Sequence, residues 1–318
     1  MDGVRALVVR GSRNIFTVRG ETGAADGAEM ECRIKGKILK EIEGYYNPLA
    51  PGDRVRVDTD PLQPRRGRIL GVEKRRNFLT RFNQKGQRPQ ILGANLDTVF
   101  CVTSPLSPPF RPRFLDRLLV QAEIARIKAV IICNKYDLYR GEDPDTEERL
   151  EDFCRIGYEV LRVSAKTGLG VDRLRLLGMG KTSILLGQSG VGKSSLINAL
   201  NPPVHAKTGA LNEKYDRGSH TTSLSQLIEL PAPAGALSPT YIIDTPGIRR
   251  MVPDGIKAEE LVLYMKEFAG LAGLCTYGLS CSHRSEPGCK IMEAVAAGKI
   301  HEGRYESFLR ISDELAAL

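Results

Sequence analysis

Gly187-Gln188-Ser189-Gly190-Val191-Gly192-Lys193-Ser194 is the stretch on which the reading of this chain turns. Glycines at this spacing leave room for backbone N–H groups to wrap a polyphosphate. The lysine reaches its β and γ oxygens, and the serine hydroxyl is placed to ligate magnesium. The apolar run Ser183-Ile184-Leu185-Leu186 in front suits a buried strand, and Ser195-Leu196-Ile197-Asn198-Ala199-Leu200 behind opens a helical pattern. Strand, loop and helix in that order aim a helix N-terminus at the phosphates, with Ser195 on its first turn.

A second motif stands upstream of the loop. Asn134-Lys135-Tyr136-Asp137 follows the apolar run Ala129-Val130-Ile131-Ile132-Cys133, which sets it at the carboxyl end of a strand, where open α/β sheets bind nucleotides. The Asp137 carboxylate can accept two N–H bonds from the guanine edge. Adenine offers no such pair, so a buried acceptor would be left without donors and ATP would be rejected. Asn134 would brace the loop, Tyr136 completes the tetrad, and the Lys135 stem would cover the base. Ser164-Ala165-Lys166, after Val160-Leu161-Arg162-Val163, reads as a further base-contact loop. GTPases usually carry the phosphate loop first, so these are GTPase motifs out of order in a parallel-sheet α/β domain spanning about 90 to 250.

Asp244-Thr245-Pro246-Gly247, after Tyr241-Ile242-Ile243, supplies the third element. Asp244 would hold magnesium through water, and the Gly247 N–H would touch the γ-phosphate, a switch that feels hydrolysis. Between this element and the phosphate loop lies Gly218-Ser219-His220-Thr221-Thr222, where either Thr221 or Thr222 should complete the magnesium shell, with Thr222 preferred. Many GTPases follow Asp-x-x-Gly with a glutamine that orients the attacking water. Here Ile248 can neither donate nor accept, and His220 is the nearest polar candidate for the catalytic group. Gly190 stands where potassium-activated GTPases usually carry asparagine, so no strong potassium requirement is expected.

With 318 residues, 42% of them hydrophobic, the chain can bury a substantial core in two or three domains. It has no apolar run of about 18 residues, and Met1-Asp2-Gly3-Val4-Arg5 lacks a signal pattern, so the expectation is a soluble cytoplasmic protein with no membrane partner. The net charge of +8 is uneven: residues 1–95 hold 19 Lys+Arg against 11 Asp+Glu, while residues 96–318 balance at 27 and 27. An excess confined to one segment points to nucleic-acid phosphates.

That segment alternates in short runs, Ala6–Val9, Glu31–Gly36, Asp53–Val57 and Gly67–Val72, between Gly, Pro and Asp turns, as in a five-stranded oligonucleotide-binding (OB) barrel. Tyr45, Tyr46, Phe78 and Phe82 are candidates either to stack bases or to fill its core. Glu21–Met30 reads as a loop extension with no evident role. Phe114–Ala122 is a helix candidate preceded by a loop punctuated by Pro105, Pro108, Pro109 and Pro112, and Leu261–Ala269, Ile291–Ala297 and Arg304–Leu318 look helical. The expected division is 1–88, 89–256 and 257–318. Cys32, Cys101, Cys133 and Cys154 are isolated and should pack as small apolar groups. Cys275, Cys281, His283 and Cys289 fall within fifteen residues and match one structural Cys3His zinc site, closed because all four tetrahedral positions are filled.

Taken together, the basic barrel, Asn134–Asp137, Ser164–Lys166, the Gly187–Ser195 loop, His220–Thr222, Asp244–Gly247 and the cysteine–histidine loop resemble the circularly permuted small-ribosomal-subunit biogenesis GTPase family, RsgA or YjeQ. The resemblance covers nearly the whole chain. It implies an OB-type barrel, a circularly permuted P-loop GTPase domain and a C-terminal helical zinc-binding domain. It implies a late maturation factor, a monomer, that binds GTP or GDP with Mg2+, docks on the small ribosomal subunit and its rRNA, and hydrolyses GTP in response, with a catalytic role for His220. The competing expectations are a non-hydrolysing RNA-binding scaffold and a GTP-regulated protein acting on another RNA; intact Lys193, Ser194 and Asp244 favour the enzyme.

Overall fold

The structure is a computed structural model and describes residues 3–12, 14–21, 27–34, 44–60, 62–83, 86–141, 144–201, 225–231, 238–248 and 250–317. Strands β1 (Val4–Ser12), β2 (Ile15–Gly20), β3 (Glu29–Ile34), β4 (Arg54–Asp60) and β5 (Gln63–Val72) pair in the order β1-β2-β3-β5-β4. β4 returns to β1, closing a five-stranded barrel in which β3 and β5 run parallel and the other pairs antiparallel. Period-two alternation builds the interior: Ala6, Val8, Phe16, Val18, Met30, Cys32, Val55, Val57 and Ile69 all point into one core. β2 lies outside the runs singled out in the sequence. Glu29 and Met30, expected in a loop extension, open β3, and Met30 is 1% exposed in the barrel core.

A hairpin of β6 (Phe78–Asn83) and β7 (Arg88–Ala94) follows, then β8 (Thr98–Thr103), β9 (Lys128–Cys133), β10 (Glu159–Arg162), β11 (Thr182–Gly187), β12 (Gln226–Leu230) and β13 (Thr240–Asp244). The second sheet runs β10-β9-β8-β11-β13-β12, parallel except for β12, and β12 meets the barrel where Gln226 pairs with Arg10. Its strands are covered on both faces, which is why they read as continuous apolar runs. Alternate residues divide between two cores. Val99, Cys101, Ile131, Ile184 and Leu186 pack with Leu115, Leu118 and Phe153 of helices α1 (Pro112–Ile124) and α2 (Pro144–Ile156). Phe100, Val102, Val130, Ile132 and Leu185 pack with Leu174, Leu196 and Ile197 of α3 (Val171–Gly178) and α4 (Lys193–Leu200). Pro112 begins α1 rather than ending the loop before it; at the first helical position its missing N–H has no helical partner to lose.

The expected division at 88/89 falls where β7 starts. Leu79 and Leu92 of the hairpin belong to the GTPase-side core, whereas Ile91 belongs to the barrel core. Gly52, at φ +90°, lets the barrel approach so closely that a Cβ there would lie 2.2 Å from the Ala94 carbonyl oxygen. Asp53, fully buried, takes two bonds from Arg75, Nε to Oδ1 at 2.7 Å and Nη2 to Oδ2 at 2.8 Å.

The C-terminal segment wraps a 3-10 stretch Ala258–Tyr264, α5 (Lys266–Ala269), α6 (Lys290–Ala296) and α7 (Glu302–Ala316) around Leu261, Met265, Phe268, Ile291, Phe308 and Ile311, with Val120 of α1 completing that core. Leu261–Ala269, expected as one helix, is instead the end of the 3-10 stretch, a break at Met265 and the single α turn of α5. Cys32, Cys101 and Cys133 are buried, but Cys154 is exposed on α2 and so does not pack as an apolar group.

Candidate nucleotide site and metal cluster

Loops carrying the motifs leave the same carboxyl edge of the second sheet, and Asn134 ties three of them together. Its Nδ2 donates to the Val191 carbonyl at 2.9 Å, and its Oδ1 accepts from the Ala165 N–H at 3.1 Å. The side chain is 1% exposed. Gly192, at φ +90°, is the left-handed residue that starts α4, and a Cβ on it would lie 2.4 Å from Asn134 Nδ2, so only glycine admits this brace.

Asp137 stands half-buried with Oδ1 accepting from the Ser164 hydroxyl at 2.6 Å, while Ser164 Oγ itself accepts from the Thr167 N–H at 3.1 Å. The serine therefore fixes one edge of the carboxylate. Lys135, at φ +60°, sends Nζ to the Ser107 carbonyl at 2.6 Å and runs its stem past the Gly192 position. Ser107 is a contact that sequence reasoning missed, since no motif marks it. Tyr136 points away from the cleft, donating to Glu147 Oε2 at 2.7 Å. Ala165 is half-buried and Lys166 exposed at the rim.

In the phosphate loop Lys193 is 7% exposed, with Nζ donating to the Gly187 carbonyl at 3.0 Å and the Gln188 carbonyl at 3.1 Å. Burial pulls its pKa down, and the nearby Asp244 carboxylate partly restores it. Ser189, Gly190, Ser194 and Ser195 are exposed, Gln188 is half-buried and Val191 is packed in the core. Asp244 ends β13 beside Leu185 of β11 and is buried; Thr245 Oγ1 donates to the Leu185 carbonyl at 2.6 Å. Gly247 lies against the phosphate loop: a Cβ on it would come within 2.7 Å of Ser189 Cα. The next N–H, of Ile248, donates to the Gly187 carbonyl at 3.1 Å, and the Ile248 side chain is buried. His220, Thr221 and Thr222 lie outside the described residues.

The second cluster is separate. The ligand atoms of Cys275, Cys281, His283 and Cys289 lie within 4.8 Å of one another, and all four residues are buried. His283 Nδ1 is 3.6 Å from Cys275 Sγ and 3.5 Å from Cys289 Sγ, and those sulfurs are 4.0 Å apart. A tetrahedron with zinc–sulfur bonds of about 2.3 Å and zinc–nitrogen bonds of about 2.0 Å needs spacings of about 3.5–3.8 Å; the two sulfur–nitrogen spacings match and the sulfur–sulfur one is slightly wide, so the four residues could hold a metal ion. Burial lowers the His283 pKa, which favours the neutral ring a metal requires. The Lys290 N–H donates to Cys275 Sγ at 3.3 Å, and the Tyr305 hydroxyl holds the His283 carbonyl at 2.7 Å, orienting the ligands from outside.

The family model described as RsgA GTPase matches residues 72–252. The small ribosomal subunit biogenesis GTPase RsgA of Porphyromonas gingivalis is 38% identical over 99% of this chain and 97% of its own length. That of Chlorobaculum tepidum is 39% identical over 93% of this chain and 94% of its own. Among solved structures, YjeQ from Thermotoga maritima superimposes with a TM-score of 0.73 at 32% identity, covering 98% of each chain. YloQ, a circularly permuted GTPase, gives 0.67 at 25% identity, covering 99% of this chain and 95% of its own.

Proposed function

The chain belongs to the RsgA GTPase family, and on that premise we propose that it hydrolyses GTP as a late assembly factor of the small ribosomal subunit. The Asn134 brace carries this reading, because it ties the guanine tetrad, the Ser164–Lys166 loop and the Gly187–Ser195 loop together at one edge of the sheet. Asp137 would accept from the guanine edge with the carboxylate oxygen that Ser164 leaves available. Lys135 covers the base, Ala165 and Lys166 border it, and Tyr136 anchors the tetrad from behind. The amides of Gly187 to Ser195 cradle the phosphates, and Lys193 exchanges its two carbonyl partners for phosphate oxygens. Gly247, already against Ser189, offers its N–H to the γ-phosphate.

Exposed Ser194 and buried Asp244 suit magnesium, with one threonine of Thr221–Thr222 completing its shell; when bound, the ion neutralises charge on the phosphate oxygens. The buried Ile248 side chain offers water nothing, so His220 is assigned to orient the attacking water. We take the cysteine–histidine cluster to hold one structural zinc, with residues 1–88 as the RNA-binding unit, 89–256 as the GTPase unit and 257–318 as the zinc-bearing helical unit. No helix among the described residues is long and apolar enough to cross a membrane; on the family premise the chain acts on ribosomal RNA in the cytoplasm as a monomer. The deciding measurement is the GTP hydrolysis rate alone, with purified small subunits and with purified large subunits. Stimulation confined to small subunits is expected, and equal rates in all three mixtures would refute the assembly role.

A further inference from the structure

A cavity of about 560 Å3 separates the barrel from the switch loop. One wall is Thr245–Ile248; Tyr46, Arg81 and Gln90 stand across it. The switch wall is hydrogen-bonded through Ile248 to the Gly187 carbonyl, so its far side touches the phosphate loop. The opposite wall is anchored as well. Tyr46 N–H donates to the Pro89 carbonyl at 2.7 Å, and Phe82 N–H donates to the Val252 carbonyl at 3.2 Å.

The Tyr46 ring lies on Gly86, where a Cβ would come within 2.4 Å of Cδ2, and yet the residue is 56% exposed. One ring face is thus packed against the hairpin and the ring is held in place with aromatic surface open. Arg81 donates Nε and Nη2 to Gln90 Oε1 at 3.2 and 3.1 Å, a neutral acceptor. Among the described residues no carboxylate comes within ion-pair distance of it, and its half-buried guanidinium is pulled down in pKa by desolvation. A cation partly stripped of water with no counter-charge attracts an anion. An aromatic platform beside such a cation, in the segment that carries the whole +8, is the chemistry of single-stranded nucleic-acid binding, where bases stack and phosphates pair.

We propose that this cavity receives one nucleotide of single-stranded RNA, its base on Tyr46 and its phosphate on Arg81, and that the shared Thr245–Ile248 wall makes RNA binding and guanine-nucleotide binding interdependent. This rests on the reading that the partner is RNA, and it adds where the RNA is sensed.

The test uses the full chain and a fluorescein-labelled single-stranded RNA hexamer of mixed sequence, titrated by anisotropy with GDP and with a non-hydrolysable GTP analogue. RNA affinity should differ by about fivefold or more between the two nucleotide states, with RNA shifting the ratio of the GTP-analogue and GDP affinities by the same factor. Tyr46→Ala and Arg81→Gln should each weaken RNA binding about tenfold, while Tyr46→Phe keeps it and Arg81→Lys keeps part. Unaltered RNA affinity in Y46A and R81Q, affinity blind to the bound nucleotide, or no RNA binding by the unmodified protein at low salt would each overturn the proposal. So would loss of small-subunit binding by these variants at unchanged hexamer affinity, which would identify a ribosomal protein as the occupant. Hexamer results as expected in a protein whose hydrolysis ignores small subunits would instead remove only the assembly reading.

Discussion

Arg304 and Asp116, both with side chains fully buried, meet Nη1 to Oδ1 at 2.6 Å and so bolt α7 to α1. Glu267 takes the other edge of the guanidinium, Nε at 2.5 Å and Nη2 at 3.0 Å, and the Ser307 hydroxyl donates to the second Asp116 oxygen. The C-terminal segment that carries the cysteine–histidine cluster is therefore seated on α1 by charges as well as by its apolar core. Removing Asp116 leaves buried Arg304 with Glu267 alone and takes from the Ser307 hydroxyl its acceptor, at a cost of up to about 3–5 kcal/mol. Asp116→Ala should lose stability of that order in urea unfolding followed by circular dichroism. The triple change Asp116→Leu, Arg304→Met and Glu267→Gln, which leaves none of these three charges unpaired, should lose less than the single one; a larger loss in the triple variant would contradict the unpaired-charge account.

For the metal cluster, one ion per chain should appear by elemental analysis of protein purified without chelator. Burial pushes the Cys281 thiol up to about 12, so without a cation the pocket would hold protonated sulfur. Cys281→Ser should lose the ion and loosen α5 to α7 in hydrogen exchange, since the ligands share a core with Phe268, Ile291 and Phe308. A protein with no bound metal and full exchange protection would end the structural-metal reading.

Guanine selection should reside in Asp137. Asp137→Asn should shift preference from GTP toward xanthosine triphosphate by about a hundredfold or more, because the amide presents a donor where the carboxylate presented an acceptor. Ser164→Ala, which frees the edge now held at 2.6 Å, should weaken GDP binding by about tenfold. Equal affinity of the unmodified protein for ATP and GTP would sink the assignment.

The nucleotide loops were legible because their chemistry depends on local residue order: a Gly-rich turn, a tetrad after an apolar run, an Asp ending a strand. The clustering of Cys275, Cys281, His283 and Cys289 was legible for the same reason, since all four fall in one short loop. What stayed hidden depends on contacts distant in sequence. Arg304 reads as an ordinary surface residue until α7 folds onto Asp116. Ser107 contributes only a backbone oxygen, which no residue type advertises. β2 was missed although Ile15 to Gly20 alternates cleanly, with Phe16 and Val18 buried between the partly exposed Thr17 and Arg19. Cys154 was misjudged because a lone cysteine on an amphipathic helix carries no sign of which face it takes.

The basic excess should act through phosphates. Arg65, Arg66 and Arg68 are exposed on β5, so replacing all three with Gln should flatten the salt dependence of RNA binding, by about 0.7 in log–log slope for each phosphate that is no longer neutralised. Substitution is the sounder route than removing residues 1–95, which would also strip Leu79 and Leu92 from the GTPase-side core. An unchanged slope in the triple variant would mean that these arginines are only solvated surface.

Catalysis is the point at which His220 must answer for what Ile248 lacks. The Ile248 side chain is 3% exposed and its N–H is committed to the Gly187 carbonyl, so neither part of the residue is free to hold a water in line with the γ-phosphate. The missing group is proposed to come from the Gly218–Ser223 segment through His220, its one ring side chain able both to donate and to accept at neutral pH. His220→Ala should lower the small-subunit-stimulated rate by about a hundredfold while GTP affinity stays within about twofold, because the phosphates are held by Gly187 to Ser195. His220→Gln, which can still orient a water, should recover part of the stimulated rate. An alanine variant with full stimulation would move the catalytic role to the docked RNA or to the switch backbone.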